Sequence, residues 1–578
     1  MIHSIYSNKK SFQKIEFHDG FNVILADRTE ESTSKDSRNG LGKSTMINII
    51  HFCLGGDPKD ALNESELEDW EFFLEIDLEG GKYTISRSPG NKGQIFIDGD
   101  YSDWPIKPKV DTDSGKYFLT KNSWRDILGK YMFDLPMGLP TFHPSFGSLI
   151  SYFIRKHEGF IDAFKQSADQ RVWDIQTNNA YLLDLGWKYA TDLQILREKK
   201  NDLDAFKREI STGKFAGFMG NAGKLRGEII RLQIQADKQK EELDKFQINH
   251  QYEQIEKEAN HITQLIHDNA NQNIIDKLLL EKYNGSLIEE KVADNKMITE
   301  VYEEAGMKFS EKIIKTLKEV NEFHSKIVEN RKDFLKLEIE NLEKEIKNRT
   351  QKIEEHDNKR AELMGILSTQ GALKEFTQIQ KNYSSSLSEL NEIRAKLDNL
   401  KNIENKDNEI KIESQKLYQN ALIDDKEREE QRSKAIIAFG EFSSSLYKEF
   451  GTLLINIRPN GFEFGIDIPR SSSQGIGNMK IFCYDLTLAK LWSKKERSPG
   501  FLIHDSKIFD GVDERQRAGA LQLAKKTSED EGFQYICTFN SDMIPPTKDL
   551  NKDFNLQDYV VRTLTDSTPE GGILGIRI

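Results

Sequence analysis

The sequence predicts an α/β domain assembled from both ends of the chain, with a long antiparallel helical coiled coil inserted between them. Three observations predict it. A phosphate-loop pattern stands near the start, at Ser37-Arg38-Asn39-Gly40-Leu41-Gly42-Lys43-Ser44-Thr45. An apolar run ending in a carboxylate, Phe501-Leu502-Ile503-His504-Asp505, stands near the other end. Between Pro144 and Pro459 lie 314 residues without a proline, and proline costs about 3 kcal/mol inside a helix. If the two motifs share one sheet, the chain must go out and return between them, as an antiparallel pair of helices does.

The middle supports this with seven-residue apolar spacing. Ile339, Ile346 and Ile353 repeat, as do Leu335 and Leu342, Leu390 and Leu397, Ile393 and Leu400, Ile403 and Ile410, and Leu196, Leu203 and Ile210. Such a seam needs a partner helix to bury it. Because the repeat is broken at several points, a bundle of separate amphipathic helices is the alternative. Ser211 to Gly223 carries four glycines and is expected to interrupt the outgoing arm. Asp268 to Asn295, rich in Asn, Gln and Gly, suits a turning region. The expected division is residues 1–186 for the first half of the head and 187–440 for the hairpin, with an apex near 265–310. Residues 441–578 form the second half of the head.

The flanks read as mixed α/β. Gly20 to Asp27 has the pattern of a short buried strand. Phe72–Leu78, Gly80-Gly81 and Tyr83–Ile85 read as a hairpin, and so do Leu453–Arg458 and Phe462–Ile468 around Pro459-Asn460-Gly461. Gly571–Ile578 reads as a final strand.

Composition narrows the function. The chain has 578 residues, 37% hydrophobic and 31% charged, with a net charge of −13. That is long enough for several domains and polar enough for long exposed helices. A net-acidic surface repels phosphates, so DNA would bind only at a local basic patch. The three cysteines, Cys53, Cys483 and Cys537, form no CxxC, which argues against a disulfide framework and for a reducing compartment. No run approaches 18 apolar residues, and Met1 to Tyr6 lacks the apolar core of a signal peptide. The expected location is the cytoplasm, with no membrane partner.

The phosphate loop matches G-x-x-x-x-G-K-[ST] except that Ser37 replaces the first glycine. Arg38, Asn39, Gly40, Leu41, Gly42, Lys43, Ser44 and Thr45 are therefore the expected nucleotide-binding residues. Gly40 and Gly42 let backbone N–H groups close around phosphate oxygens. Lys43 brings a point charge to the β- and γ-phosphates, the Ser44 hydroxyl ligates Mg²⁺, and Thr45 donates near the α-phosphate. The apolar helix that follows points its N-terminus at the phosphates. Asp505, closing its strand, is the expected second Mg²⁺ residue. The cofactors expected are ATP and Mg²⁺.

A terminal phosphate loop, a proline-free coil and a late strand ending in Asp resemble the SMC superfamily of ABC-type ATPases. More narrowly, DSRNGLGKSTMINIIHFCLGG and FLIHDSKIFDGVDERQ resemble a bacterial SMC-like family of unknown function, whose members often sit in three-component ABC-ATPase operons tied to anti-phage defence. The resemblance implies an ABC/SMC-type P-loop head that binds ATP between two copies, hence a homodimer through the heads. One copy would supply a signature loop, here Ser473, Gly475 and Gly477 within Ser472–Asn478. Asp513 falls where the dimer-interface Asp lies, and Asn540 where a switch His lies. The usual catalytic glutamate position holds Ser506, which cannot act as a carboxylate base; Glu514 or Asp510 would have to substitute. Ser145 to Arg155 falls at a glutamine-loop position without a glutamine. The resemblance also implies a small operon-encoded partner, an effector such as a nuclease, and DNA.

Two functions follow. One is an ATPase switch, with Lys43 and Asp505 central to catalysis, that senses or engages DNA in defence or repair. The other is a non-hydrolysing ATP-dependent scaffold or regulator of an effector without DNA binding. The eleven histidines form no HxH or HExxH, so any cutting of DNA falls to a partner. The absence of CxxC excludes a zinc hook.

Overall fold

The structure, a computed structural model, describes residues 1–27, 41–138, 141–212, 221–245, 250–289, 311–367, 373–468, 474–551, 553–565 and 568–576. Its strands before the middle are β1 (Ile2–Ser7), β2 (Ile15–Glu16), β3 (Phe21–Asp27), β4 (Phe72–Leu78), β5 (Gly81–Ser88), β6 (Asn91–Asp98), β7 (Lys109–Val110), β8 (Tyr117–Thr120) and β9 (Ile154–Arg155). The helices there are α1 (Lys43–Cys53), α2 (Lys121–Phe133), α3 (Phe146–Ile150) and α4 (Val172–Leu182). The middle holds α5 (Lys188–Thr212), α6 (Ala222–Lys245), α7 (His250–Glu289), α8 (Glu311–Leu367), α9 (Leu373–Glu427) and α10 (Glu429–Tyr447). After it come β10 (Thr452–Arg458), β11 (Gly461–Asp467), α11 (Gln474–Ser493), β12 (Phe501–His504), α12 (Glu514–Glu531), β13 (Gln534–Asn540) and β14 (Val560–Thr565).

Five strands form a wholly parallel sheet in the order β14-β3-β13-β12-β9. A parallel sheet covered on both faces calls for continuous apolar strands. β3 (FNVILAD) and β13 (QYICTFN) each bury six consecutive residues, and β12 buries all four. Strands from the two ends of the chain interleave. β3, from the start, lies between β13 and β14, with Tyr535 opposite Phe21 and Asn540 opposite Ala26. β9 pairs with β12 at the edge. Neither end has this sheet without the other.

Seven strands form a second, antiparallel sheet in the order β2-β1-β4-β5-β6-β8-β7. β4 alternates buried and half-buried residues along its whole length, as one solvated face requires. The buried Gln534 side chain ties the sheets together, accepting from the Ile2 N–H at 2.6 Å and donating to the Ile2 carbonyl at 2.7 Å. Helix α1 packs against β4 and β5, and α12 against β3 and β13.

The chain divides into two compact units. One contains Met1–Arg197 and Glu413–Ile578, and the other is drawn from residues between 198 and 412. The second unit is helical throughout its described part. Its contacts show antiparallel pairing in more than one place. Between α7 and α8, Glu258 meets Lys359 and Asp276 meets Arg349. Between α6 and α9, Gln233 meets Arg394 and Gln235 meets Ser386. Helix α7 also runs parallel to α9, with Asn260 on Gln380 and Asn271 on Ser388. Leu225, Leu232, Ala236, Leu335, Leu390 and Leu397 are buried along these seams.

Two local expectations need correction. The turning region expected from Asp268 is helix as far as Glu289, and 290–310 lie outside the described residues. Its polar side chains serve other helices rather than a turn: Asn273 donates to the Thr350 hydroxyl and accepts from Arg349, both at 3.2 Å, and Asn271 accepts from Ser388. Among the described residues the last strand is Val560–Thr565, and 571–576 of the expected final strand form none; 577–578 lie outside the described residues. Residues 569–576 form a short 3₁₀ turn and bends, with Gly575 at φ 63°, because this segment folds back on the head near Ser11 and Leu41. The expected glutamine-loop stretch divides into α3 and β9. Of the glycine-rich stretch Ser211 to Gly223, residues 213–220 lie outside the described residues.

Candidate functional site

The site forms where β3, α1, β12 and β13 come together. Of the expected phosphate loop, Ser37, Arg38, Asn39 and Gly40 lie outside the described residues. Gly42 caps α1 in the left-handed region at φ 87°. An added Cβ there would lie 2.1 Å from Cγ2 of Ile573, so both the backbone and the space call for glycine. Ile573 is held by two backbone bonds, its N–H to the Leu41 carbonyl at 3.1 Å and its carbonyl to the Gln13 N–H at 2.9 Å. The C-terminal segment thus supports the turn into α1.

Lys43 and Ser44 open α1, so they lie at the positive end of its dipole. The Ser44 hydroxyl donates to Asp505 Oδ2 at 2.8 Å, across 461 residues of sequence. The Lys43 ammonium donates to Asn540 Oδ1 at the end of β13. Asp505 is buried and follows the last residue of β12. Its other oxygen accepts from the Lys507 N–H at 3.1 Å and the Ser506 hydroxyl at 3.4 Å. The Ser506 N–H donates to the Thr538 hydroxyl at 2.8 Å. The structure therefore gathers Lys43, Ser44, Asp505 and Asn540; Thr45 is the next residue of α1.

This donor set fits a magnesium polyphosphate. A serine hydroxyl and a carboxylate side by side are hard oxygen ligands of the kind Mg²⁺ takes. An ammonium and the N–H groups of a helix's first turn suit phosphate oxygens. The far end of α1 is anchored just as firmly. Arg87, fully buried, donates to the carbonyls of Phe52 and Gly56. Trp124 Nε1 donates to the Cys53 carbonyl at 3.0 Å, and Arg125 Nε to that of Gly55 at 2.8 Å. Burial pushes the Arg87 guanidinium down to about 10 and the Cys53 thiol up to about 12.

The other expected residues lie on neighbouring elements. Ser473 is outside the described residues. Gly475 and Gly477 are in the first turn of α11 rather than in a loop. A Cβ on Gly475 would lie 2.2 Å from the Gly511 carbonyl oxygen. Asn478 donates to the carbonyls of Lys507 and Asp510, each at 3.0 Å. Asp513 caps α12 by accepting from the Arg515 N–H at 2.9 Å. Glu514, the first residue of α12, is exposed, and so is Asp510. Sequence reasoning missed the clamping role of Asn478 and the support from Ile573. It also missed a buried set behind Asp505 made of Arg155, Asp485, His504 and Tyr535. Burial holds the His504 imidazole below its ordinary range, against the opposing pull of the Asp485 carboxylate. The one signal for that set was four polar residues standing in or beside apolar runs.

The architecture is the fold class expected from the sequence, an α/β domain closed by both chain ends, with long antiparallel helices in the sequence between them. Residues 442–578 match the family model DUF2326, described as an uncharacterised protein conserved in bacteria. No curated protein matches the chain. Among solved structures, the Smc head domain with a coiled coil and joint from Pyrococcus yayanosii is similar at 14% identity and a TM-score of 0.35, over 99% of this chain and 95% of that one. The Smc head domain from Pyrococcus furiosus, with an extended coiled coil and bound to the C-terminal domain of ScpA, gives 13% identity and 0.30, over 95% and 91%. The recombination mediator protein RecF with ATP gives 11% and 0.27, over 96% and 93%. Among the described residues, no helix is long and apolar enough to cross a membrane.

Proposed function

We propose that the protein is an SMC-like ATPase whose heads pair on ATP and act as a DNA-sensing or DNA-engaging switch in a bacterial defence or repair complex. One observation carries the reading. Ser44, at the start of the first helix, and Asp505, at the end of a strand near the other end of the chain, share a hydrogen bond of 2.8 Å beside Lys43. Lys43 would release Asn540 to bind the β- and γ-phosphates, and Arg38 to Thr45 would wrap them. Ser44 and Asp505 would hold Mg²⁺, which when bound neutralises the charge that builds on the phosphate oxygens. Asn540, freed from Lys43, would face the terminal phosphate. Ser473, Gly475 and Gly477 would close on the nucleotide of a second copy, with Asp513 at that junction. A small operon-encoded partner and an effector such as a nuclease would receive the signal.

Ser506 favours slow turnover, because no carboxylate follows Asp505 to orient the attacking water. Glu514 is the candidate substitute. A second reading follows from the same residue: a scaffold or effector regulator that binds ATP without hydrolysing it and without DNA. ATP turnover of wild type and Lys43→Ala separates the two. The switch predicts measurable turnover that Lys43→Ala abolishes, together with salt-sensitive binding to duplex DNA. Equal residual turnover in both proteins contradicts the enzyme.

A further inference from the structure

Behind Asp505 lies a chain of four fully buried polar side chains from four different elements. Arg155 ends β9, Asp485 lies in α11, His504 ends β12 and Tyr535 lies in β13. Arg155 grips Asp485 with two bonds of 2.5 Å and spends its remaining donors on the carbonyls of Gly159, Asp162, Ala163 and Lys165. Asp485 Oδ2 also meets His504 Nε2 at 3.0 Å, and His504 Nδ1 meets the Tyr535 hydroxyl at 2.9 Å. Because a carboxylate only accepts, Nε2 carries the hydrogen and Nδ1 accepts from Tyr535. The ring is therefore fixed in one orientation from both sides.

Stability alone gives little reason for this arrangement. A buried ion pair often does no better than apolar side chains of the same volume, and the surrounding core is apolar. Its place gives a reason. His504 is the residue before Asp505. On the other side of Asp505, Asn478 of α11 holds the carbonyls of Lys507 and Asp510. Helix α11 thus grips the Asp505 segment both before and after the carboxylate.

We infer that His504, held by Asp485 and Tyr535, is a positioning residue that aims the Asp505 carboxylate at the divalent cation of a bound nucleotide. The inference rests on the reading of Asp505 as a Mg²⁺ residue. Residues that support a metal ligand change metal affinity by roughly 10–100-fold when replaced. Arg155 and Asp485 are poor test sites, because removing one leaves the other charge buried alone.

The test is ATP affinity of the full chain by calorimetry, with Mg²⁺ and with EDTA. His504→Phe keeps a ring and loses both bonds; His504→Gln keeps a donor toward Asp485. Wild type is expected to bind ATP more tightly with Mg²⁺. His504→Phe is expected to match wild type in EDTA and to lose about tenfold of the Mg²⁺-dependent gain, and His504→Gln to recover part of it. If His504→Phe does not fold, Tyr535→Phe, which deletes one hydroxyl, is read the same way and should lose several-fold. A gain kept in the folded variant, or an equal loss with and without Mg²⁺, overturns the positioning role while leaving the ATP site standing. A wild type with no Mg²⁺-dependent gain overturns both.

Discussion

Gly42 shows how one residue links fold and site. Its left-handed φ starts α1, and Ile573 fills the space a side chain would need. Gly42→Ala should cost about 1–3 kcal/mol in backbone strain and should also displace Ile573. We expect a lower melting temperature, and ATP affinity weakened by more than tenfold, the equivalent of about 1.4 kcal/mol. Calorimetric titration of the purified variant checks this. At this scale the sequence was most readable where the chemistry is local. GLGKST and FLIHD are contiguous, and each stands out by its residue pattern; the structure brings Ser44 of one to Asp505 of the other. Ile573 and Arg155 were not readable, because Ile573 meets Leu41 and Gln13, and Arg155 meets Asp485, hundreds of residues away. Ser506 was readable as a departure, though what replaces the missing carboxylate was not.

At the scale of elements, α1 is fixed at both ends. Its start faces the site, and its last carbonyls are capped by Arg87, Trp124 and Arg125. Arg87→Met would remove a costly buried charge but take a donor from the carbonyls of Phe52, Gly56 and Lys92. The Phe52 carbonyl keeps the Gly55 N–H at 3.0 Å, while the Gly56 carbonyl becomes a buried orphan at about 1–3 kcal/mol and the other two lost bonds add to it. We expect about 2 kcal/mol or more of lost stability, read from urea denaturation. ATP affinity of the folded fraction should fall far less than in Gly42→Ala. Strands whose burial follows a simple rule were legible: β3 is mostly apolar and buried along six consecutive residues, and β4 alternates. Val560–Thr565 is a strand dominated by Val, Thr and Leu, but it is short and only partly buried, so its pattern stands out less than that of the apolar, glycine-flanked tail. The Asn-rich stretch of α7 was read as a turn, because asparagine favours turns when it has no tertiary partner. Here Arg349, Thr350 and Ser388 supply such partners.

At the scale of the molecule, the interleaved sheet explains why the two motifs stand so far apart in sequence. β3 has both its neighbours, β13 and β14, from the far end of the chain, so the site forms only when the ends meet. The missing prolines and heptads foretold helices between the ends. They foretold the antiparallel pairing of α7 with α8 but not that α7 also runs parallel to α9, because an apolar stripe specifies that a helix is covered and not by which neighbour.

The central claim is that the two ends of the chain grip one magnesium ion. A double-mutant cycle on Ser44→Ala and Asp505→Asn, read as MgATP affinity, tests it most directly. Groups that act on one ion are coupled, by about 0.5–3 kcal/mol in such cycles. We predict that each single change removes most of the Mg²⁺-dependent affinity and that the double variant is little worse than either. Penalties that simply add, or a wild type that binds ATP equally with and without Mg²⁺, would contradict the account.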